Sequence, residues 1–426
     1  MMRIEEMNHP LRGELKVPGD KSIAHRAVIF SCIAEGESRI FNLSGGEDNS
    51  RTVQAFKNLG VRIWSEGGVL CVDGKGWEGL SAPDHTIDCG NSGTTMRLLA
   101  GVLAGRPFTT TLDGDASLRT RPMQRVIEPL SQMGTQILSQ NGKGLAPLKI
   151  RGGQMQGICY ATPIASAQVK SAILLAGLQA HGVTVVKETQ KSRDHTEIMA
   201  RAFGAELKME GCSVSVRGPQ KLSHQEVRIP GDLSSAAFFM VAAACIPGSN
   251  ILIQGVGCNT TRSGVIDVLR SMGASVELVH LREESGEAVA DLRIVGGRLK
   301  AVQVGEEMAA RTIDEYPVLA VAAVLAEGVT TFSGVRELRY KESDRIGTMT
   351  RELRKLGVEI EEGEDGMSIK GKGRLQGARL ESYGDHRVAM ALAVAGLFSE
   401  GGVEIENSAC ADISFPGFFD LLGGLR

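Results

Sequence analysis

Aromatic residues make up only 4% of the 426-residue sequence, with two Trp and four Tyr, so its core must be built mainly from Ala, Val, Leu and Ile. Charge of one sign is not in excess either. Lys and Arg number 47 against 50 Asp and Glu, a formal net charge of −3. That balance gives no general electrostatic reason to bind nucleic acid or a membrane surface, so any anion site must be local. Apolar stretches of transmembrane length are missing, since a run such as Pro317 to Ala326 is about half a span. The opening residues, MMRIEEMNHPLRGEL, lack the continuous apolar segment of a secretory signal. The eight cysteines show neither CxxC nor Cys/His ligand spacing. They read as buried, reduced thiols of a cytoplasmic protein rather than a disulfide framework or a metal site.

Glycine is what the sequence has in plenty, with 53 residues, and it recurs periodically. PGDKSIAHRAVIFSCIAEGESRIFN from Pro18 matches PGDLSSAAFFMVAAACIPGSNILIQG from Pro230. In each, a small-residue helix is closed by a glycine 17 positions after the first, at Gly36 or Gly248, and Gly384 to Gly401 repeats that spacing. Looser copies put further closing glycines at Gly105, Gly182 and Gly328, a period of roughly 70 residues. Second, amphipathic helices end at Gly60, Gly134, Gly204, Gly273 and Gly357. Short strand patterns such as VLCVDG, PLKIRG and SVSVRG follow. Each unit is thus about β-α-β-α-β-β, and six irregularly spaced units fit two lobes of three better than a solenoid. The first helix of each unit is too uniformly apolar for a surface position and is expected inside a lobe, covered by sheets. The expected lobes are residues 17–229, and residues 1–16 with 230–426. The strand around Glu14 to Val17 would then pair into the second lobe, and two chain crossings, near Lys16 and Pro230, would act as a hinge.

Charge enters these apolar helices at one place. Lys21, Arg26, Arg97, Lys170, Asp314, Glu315, Asp385 and Arg387 all fall near helix starts, where free N–H groups and the helix dipole already favour anions. Each basic residue alone reads as a solvated surface charge. At equivalent repeat positions they read as a site for two polyanionic ligands. DASLRTRPMQRV adds Arg119, Arg121 and Arg125 around a Pro122 expected to begin a helix. RYKESDRI gathers Lys341, Glu342, Asp344 and Arg345 before another helix, either as a capped start with Asp344 near the cap or as an acid and a base at one place.

Through GDKSIAHRA, GNSGTTMRLL, LRTRPMQR, ASAQVKSA, DEYPVLAVAA, RYKESDRI and GDHRVAMA, essentially the whole chain resembles the 5-enolpyruvylshikimate-3-phosphate synthase family. The resemblance implies an inside-out α/β barrel in each of two domains, with lobes that close on substrate. It also implies transfer of enolpyruvyl from phosphoenolpyruvate to shikimate 3-phosphate through a tetrahedral adduct, by a cytoplasmic monomer needing no metal or organic cofactor. Carried over position by position, Lys21, Ser22, Arg26, Ser166, Gln168, Arg193, Asp314 and Lys341 look like shikimate 3-phosphate contacts. Lys21, Asn91, Gly93, Arg121, Gln168, Lys341, Arg345 and Arg387 look like phosphoenolpyruvate contacts. Asp314 and Glu342 match the family's proton-transfer carboxylates, with Lys21 and Lys341 also open as the donor to the methylene carbon.

SAQVK, RDHTE and NTTR resemble the second, glyphosate-tolerant bacterial class. A C-terminal lysine of the plant-like form is replaced by ADISFPGF, and the proline after the glycine-motif arginine is Leu98. Gly93, however, is glycine where some tolerant members have alanine, so glyphosate is expected to inhibit, though less than it inhibits plant-like enzymes. Two alternatives stay open. The sister family acting on UDP-N-acetylglucosamine carries a Lys-Asn pair and a reactive loop cysteine, whereas here the residues are Asp20-Lys21-Ser22 and a Cys-free Ala116 to Pro122. A non-catalytic anion-binding protein on the same scaffold would have no need of Asp314, Glu342 and Arg387.

Overall fold

In the computed structural model, which describes residues 1–7 and 9–425, one of the two sets of periodic glycines ends helices; of the other set, expected to close the inner helices, Gly36, Gly182 and Gly401 instead lie within the strands Glu35–Phe41, Gly182–Lys187 and Ser399–Glu406. Helices Glu47–Asn58, Gln124–Gln132, His195–Ala202, Gly264–Ser271 and Arg345–Lys355 are each followed by an apolar cap residue and then by glycine. Those glycines, at 60, 134, 204, 273 and 357, all have φ between 80° and 110°. The next residue returns its N–H to the carbonyl five positions back, as Val61 does to Phe56 at 3.0 Å and Ala205 to Ala200 at 2.8 Å. This is the paired bonding of a Schellman turn, which an L side chain would strain by about 1–2 kcal/mol.

These helices bury one face only. A second set, Lys21–Ile33, Gly93–Leu103, Ala167–Gly177, Leu233–Cys245, Tyr316–Leu325 and His386–Gly396, is buried almost throughout, the last along its whole length. Small residues make such burial feasible. A Cβ added at Gly101 would lie 2.3 Å from the carbonyl oxygen of Ala172, so two of these inner helices meet backbone to backbone.

Among the described residues the strands form five four-stranded sheets and one of three. In one of them Ile87–Asp88 pairs in parallel with Thr109–Asp113 across the inner helix Gly93–Leu103. Leu148–Arg151 then adds antiparallel, with Gln136–Ser139 at the edge. This is the β-α-β-α-β-β unit.

The fold is α/β, with two units of three repeats whose inner helices are covered by sheets and amphipathic helices, the inside-out arrangement. One compact unit comprises Gly19–Ile229 with Glu284–Glu287; the other comprises Met1–Pro18, Pro230–Glu283 and Ala288–Arg426. Each has its own hydrophobic core. The strand before each unit's first inner helix is used elsewhere: Arg12–Lys16 pairs in parallel with Asn250–Gly257, and Glu226–Arg228 with Glu35–Phe41. A strand with no signal in the repeat, Met2–Ile4, lies antiparallel to Ser399–Glu406 and completes the sheet of the shortened last repeat.

Two local expectations need correction. Pro122 does not begin a helix; Met123 is the N-cap of a helix that starts at Gln124. The thiols are not uniformly buried either. Cys32, Cys71, Cys89 and Cys258 are, but Cys159 and Cys212 are exposed, Cys159 because it points outward on the short strand Cys159–Ala161. Among the described residues, no helix is long and apolar enough to cross a membrane.

Candidate active site

In several inner helices one N–H of the first turn is already taken by the capping side chain. Asp20 accepts from Ile23 N at 2.9 Å, Asp232 from Ser234 N at 2.8 Å, and Asp385 from Arg387 N at 2.9 Å. Ser92 likewise accepts from Thr95 N at 3.1 Å. An anion approaching the three Asp-capped starts would meet a carboxylate, so anion affinity there must come from side chains rather than from helix dipoles.

In the unit Gly19–Ile229, Lys21 opens its helix with Nζ 3.0 Å from Asp48 Oδ2. Arg26, 3% exposed, donates from Nε to Thr196 Oγ1 at 2.7 Å, from Nη2 to Ser171 Oγ at 2.8 Å and from Nη1 to the Ser22 carbonyl at 2.9 Å. Burial pushes its guanidinium down to about 10. Arg193, just before the helix His195–Ala202, is close enough to act on Arg26 electrostatically. A second patch is connected through Arg97, a buried residue absent from the expected contacts. Its Nη1 donates to Gln168 Oε1 at 2.5 Å, and Gln168 Nε2 donates to Thr94 Oγ1 at 2.8 Å. Asn91 Oδ1 accepts from Arg121 Nη2 at 2.5 Å, and Asn91 Nδ2 donates to Asp115 at 2.7 Å. At Gly93 an added Cβ would lie 2.8 Å from Arg97 Nη1 and 3.5 Å from Arg121 Nη1. Asn91, Gly93, Arg121 and Gln168 are thus brought together. Ser166 is the N-cap of Ala167–Gly177, its side chain making no cap bond.

Lys170 does not behave as the repeat suggested. Its ammonium, 1% exposed, sits 2.8 Å from both Glu188 and Glu197. Burial alone would lower its affinity for the proton, but the two carboxylates outweigh burial and raise it. Its charge is already paired.

In the other unit the candidates gather on Arg345, which is 1% exposed. Its Nε lies 2.9 Å from Asp385, its Nη2 2.6 Å from Glu342 and its Nη1 3.5 Å from Asp314. Burial works against this charge, yet Asp385 and Glu342 hold the guanidinium above the ordinary arginine range. Asp385 is correspondingly held low by Arg345, against burial. Asp314 precedes the inner helix Tyr316–Leu325 and lies 3.8 Å from Lys341 and 3.9 Å from Arg387. Asp344 caps the helix that follows, as one of the two readings of RYKESDRI had it, accepting from Gly347 N at 3.1 Å. Two part-buried carboxylates, Asp314 and Glu342, and a group of cations are therefore assembled within one unit, an arrangement suited to proton transfer beside an anionic ligand.

The architecture is that of a solved enolpyruvyl transferase, NikO from Streptomyces tendae, with a TM-score of 0.80 over 99% of this chain and 96% of that one; at 18% identity the likeness shows the fold alone. The sequence goes further. Residues 6–422 match the family model for EPSP synthase (3-phosphoshikimate 1-carboxyvinyltransferase), and the chain belongs to that family. A 3-phosphoshikimate 1-carboxyvinyltransferase of Pelobacter propionicus is 52% identical, covering 98% of this chain and 96% of the relative. The enzyme of the same name from Brevibacillus brevis is 48% identical, covering 99% of each. An EPSP synthase structure from Acinetobacter baumannii superposes with a TM-score of 0.89 at 44% identity, covering 99% of this chain and 97% of that one.

Proposed function

We propose that the enzyme transfers the enolpyruvyl group of phosphoenolpyruvate to the 5-hydroxyl of shikimate 3-phosphate by addition and elimination, with Asp314 and Glu342 carrying the proton transfers. The observation that carries this reading is the pair of carboxylates sharing Arg345, at 3.5 Å and 2.6 Å. Addition needs a base for the hydroxyl proton and an acid for the methylene carbon. Asp314, with Lys341, Arg345 and Arg387 within 3.5–3.9 Å, suits the base. As the 5-oxygen bonds to C2 of phosphoenolpyruvate, Asp314 takes its proton and Glu342 delivers one to C3, giving a tetrahedral adduct. Loss of a C3 proton and of phosphate then restores the double bond. Lys21 and Lys341 are the other groups able to protonate C3.

In the same reading Lys21, Ser22, Arg26, Ser166, Gln168, Arg193, Asp314 and Lys341 hold shikimate 3-phosphate. Lys21, Asn91, Gly93, Arg121, Gln168, Lys341, Arg345 and Arg387 hold phosphoenolpyruvate. Fixed cations that need no reorganisation lower the cost of charge developing on the phosphate. The enzyme acts as a cytoplasmic monomer without metal or organic cofactor, and glyphosate inhibits it less than plant-like members.

Phosphate release from the two substrates tests the reaction, with UDP-N-acetylglucosamine replacing shikimate 3-phosphate as the competing acceptor. Asp314→Ala and Glu342→Ala should each lower kcat by about 100-fold or more. Near-normal turnover in both variants at saturating substrates would overturn the assignment.

A further inference from the structure

We propose that Thr196 and Ser171 are positioning residues that keep Arg26 aimed, and clear of any directly bonded carboxylate, for the shikimate 3-phosphate anion, while Glu197, one residue on, pairs with Lys170. The inference rests on the reading that Arg26 binds that substrate. The two buried cations sit on inner helices of the same unit and are treated in opposite ways. Lys170 has carboxylates at 2.8 Å on two sides. Arg26 has three hydrogen-bond acceptors, and all are neutral oxygens.

The protons can be counted. Ser171 Oγ donates to the Ala167 carbonyl at 2.6 Å, so its one proton is used. In the 2.6 Å contact between Ser171 and Thr196 the donor must then be Thr196, whose proton is used as well. The lone pairs left on both oxygens accept from Nη2 and Nε of Arg26. The guanidinium is held by a fixed fork that contributes no negative charge. A carboxylate at position 196 would cancel the charge meant for a ligand. An apolar side chain there would leave a buried N–H unpaired and release the fork. Glu197, Asp20 and Glu287 reach Arg26 only through space, and Arg193 opposes them. RDHTE, read from the sequence as a class marker with only Arg193 given a role, therefore divides its work: Thr196 reserves one cation and Glu197 neutralises another.

The test uses the full chain, with steady-state kinetics for both substrates and calorimetric titration of shikimate 3-phosphate alone. Thr196→Val should weaken shikimate 3-phosphate, in both KM and Kd, by about tenfold or more, with kcat and the phosphoenolpyruvate KM within about threefold. Thr196→Ser, which keeps the hydroxyl, should restore affinity to within about threefold of the parent. Lys170→Met should lower the melting temperature yet leave the shikimate 3-phosphate Kd of the folded enzyme within about threefold. If Thr196→Val does not fold, Ser171→Ala carries the same comparison. Should Arg26→Met weaken the substrate while Thr196→Val or Ser171→Ala leaves its Kd unchanged, the inference fails and the reading of Arg26 stands. An unchanged Kd in Arg26→Met would instead overturn that reading. A Lys170→Met variant that loses the substrate as Arg26→Met does would overturn the division of labour.

Discussion

His25 is fully buried on the inner helix Lys21–Ile33, one residue before Arg26, with Nδ1 2.7 Å from Thr52 Oγ1, itself 2.7 Å from Thr95 Oγ1. Burial pushes its imidazole down to about 3 from 6.5, against a weaker upward pull from Asp48. The folded protein thus leaves His25 neutral at pH values where the unfolded chain protonates it. Because the folded value is the depressed one, this contribution to stability is fully present above pH 6.5 and is lost as pH falls from 6.5 towards 3. The loss is about 1.4 kcal/mol per pH unit, or about 2 kcal/mol at pH 5.

Trp64 and Trp77, the only tryptophans, both belong to the unit that contains His25, so urea unfolding followed by tryptophan fluorescence reports that unit. The perturbation is His25→Asn, which keeps a hydrogen-bonding amide near the Nδ1 position and cannot take up a proton. At pH 7.5 the variant should be less stable by about 1–2 kcal/mol through lost packing. Below pH 6.5 the gap should close by about 1.4 kcal/mol per unit and change sign between about pH 5.8 and 5. Other titrating groups are common to both proteins and cancel in the difference. A gap that stayed constant from pH 7.5 to 4.5 would refute the reasoning.

Gly93→Ala should raise the phosphoenolpyruvate KM by about three- to tenfold, because its Cβ would press on Arg97 Nη1 from 2.8 Å; an unchanged KM would separate Gly93 from that ligand. Gly204 has φ +90° and open space where a Cβ would go, so Gly204→Ala should cost about 1–2 kcal/mol from backbone strain alone. The urea midpoint by tryptophan fluorescence checks this, and Gly204→Asn should lose less. Arg262 is 2% exposed and bonds Asp232 at 2.5 Å and Ser234 at 2.7 Å. Arg262→Met should therefore destabilise its unit by about 3–5 kcal/mol, since buried Asp232 would lose this cation; a melting temperature within about 1 °C of the parent would count against it.

The repeat was readable because its signals are local. A glycine such as Gly60 follows its helix by two residues and needs only a left-handed backbone, so spacing alone marks the helix end. The inner helices were readable from Ala-rich runs that no surface helix would carry. The strand Met2–Ile4 was not, because three residues show no periodicity and its partner, Ser399–Glu406, lies at the far end of the chain. The helix starts were half legible. Asp20, Asp232 and Asp385 were visible as acids in the motifs, but whether an N–H is free or capped depends on a rotamer, and all three turn back onto their own helices.

Charge was the least legible quantity, and positions 170, 171, 196 and 197 explain why. Lys170 and Ser171 are neighbours on one helix, as Thr196 and Glu197 are on another. Contact between the helices joins Lys170 to Glu197 and Ser171 to Thr196. Moving one residue along each helix exchanges a carboxylate partner for a hydroxyl one, and with it the fate of a buried cation. A pattern of basic residues at equivalent repeat positions therefore marks where cations are buried but not which of them remain available to a ligand. That distinction is made by partners roughly 20 to 170 residues away in the chain. It follows that a change from threonine to an acid at position 196, conservative in size and exposed to no solvent, should disable the site more thoroughly than the loss of any single surface charge around it.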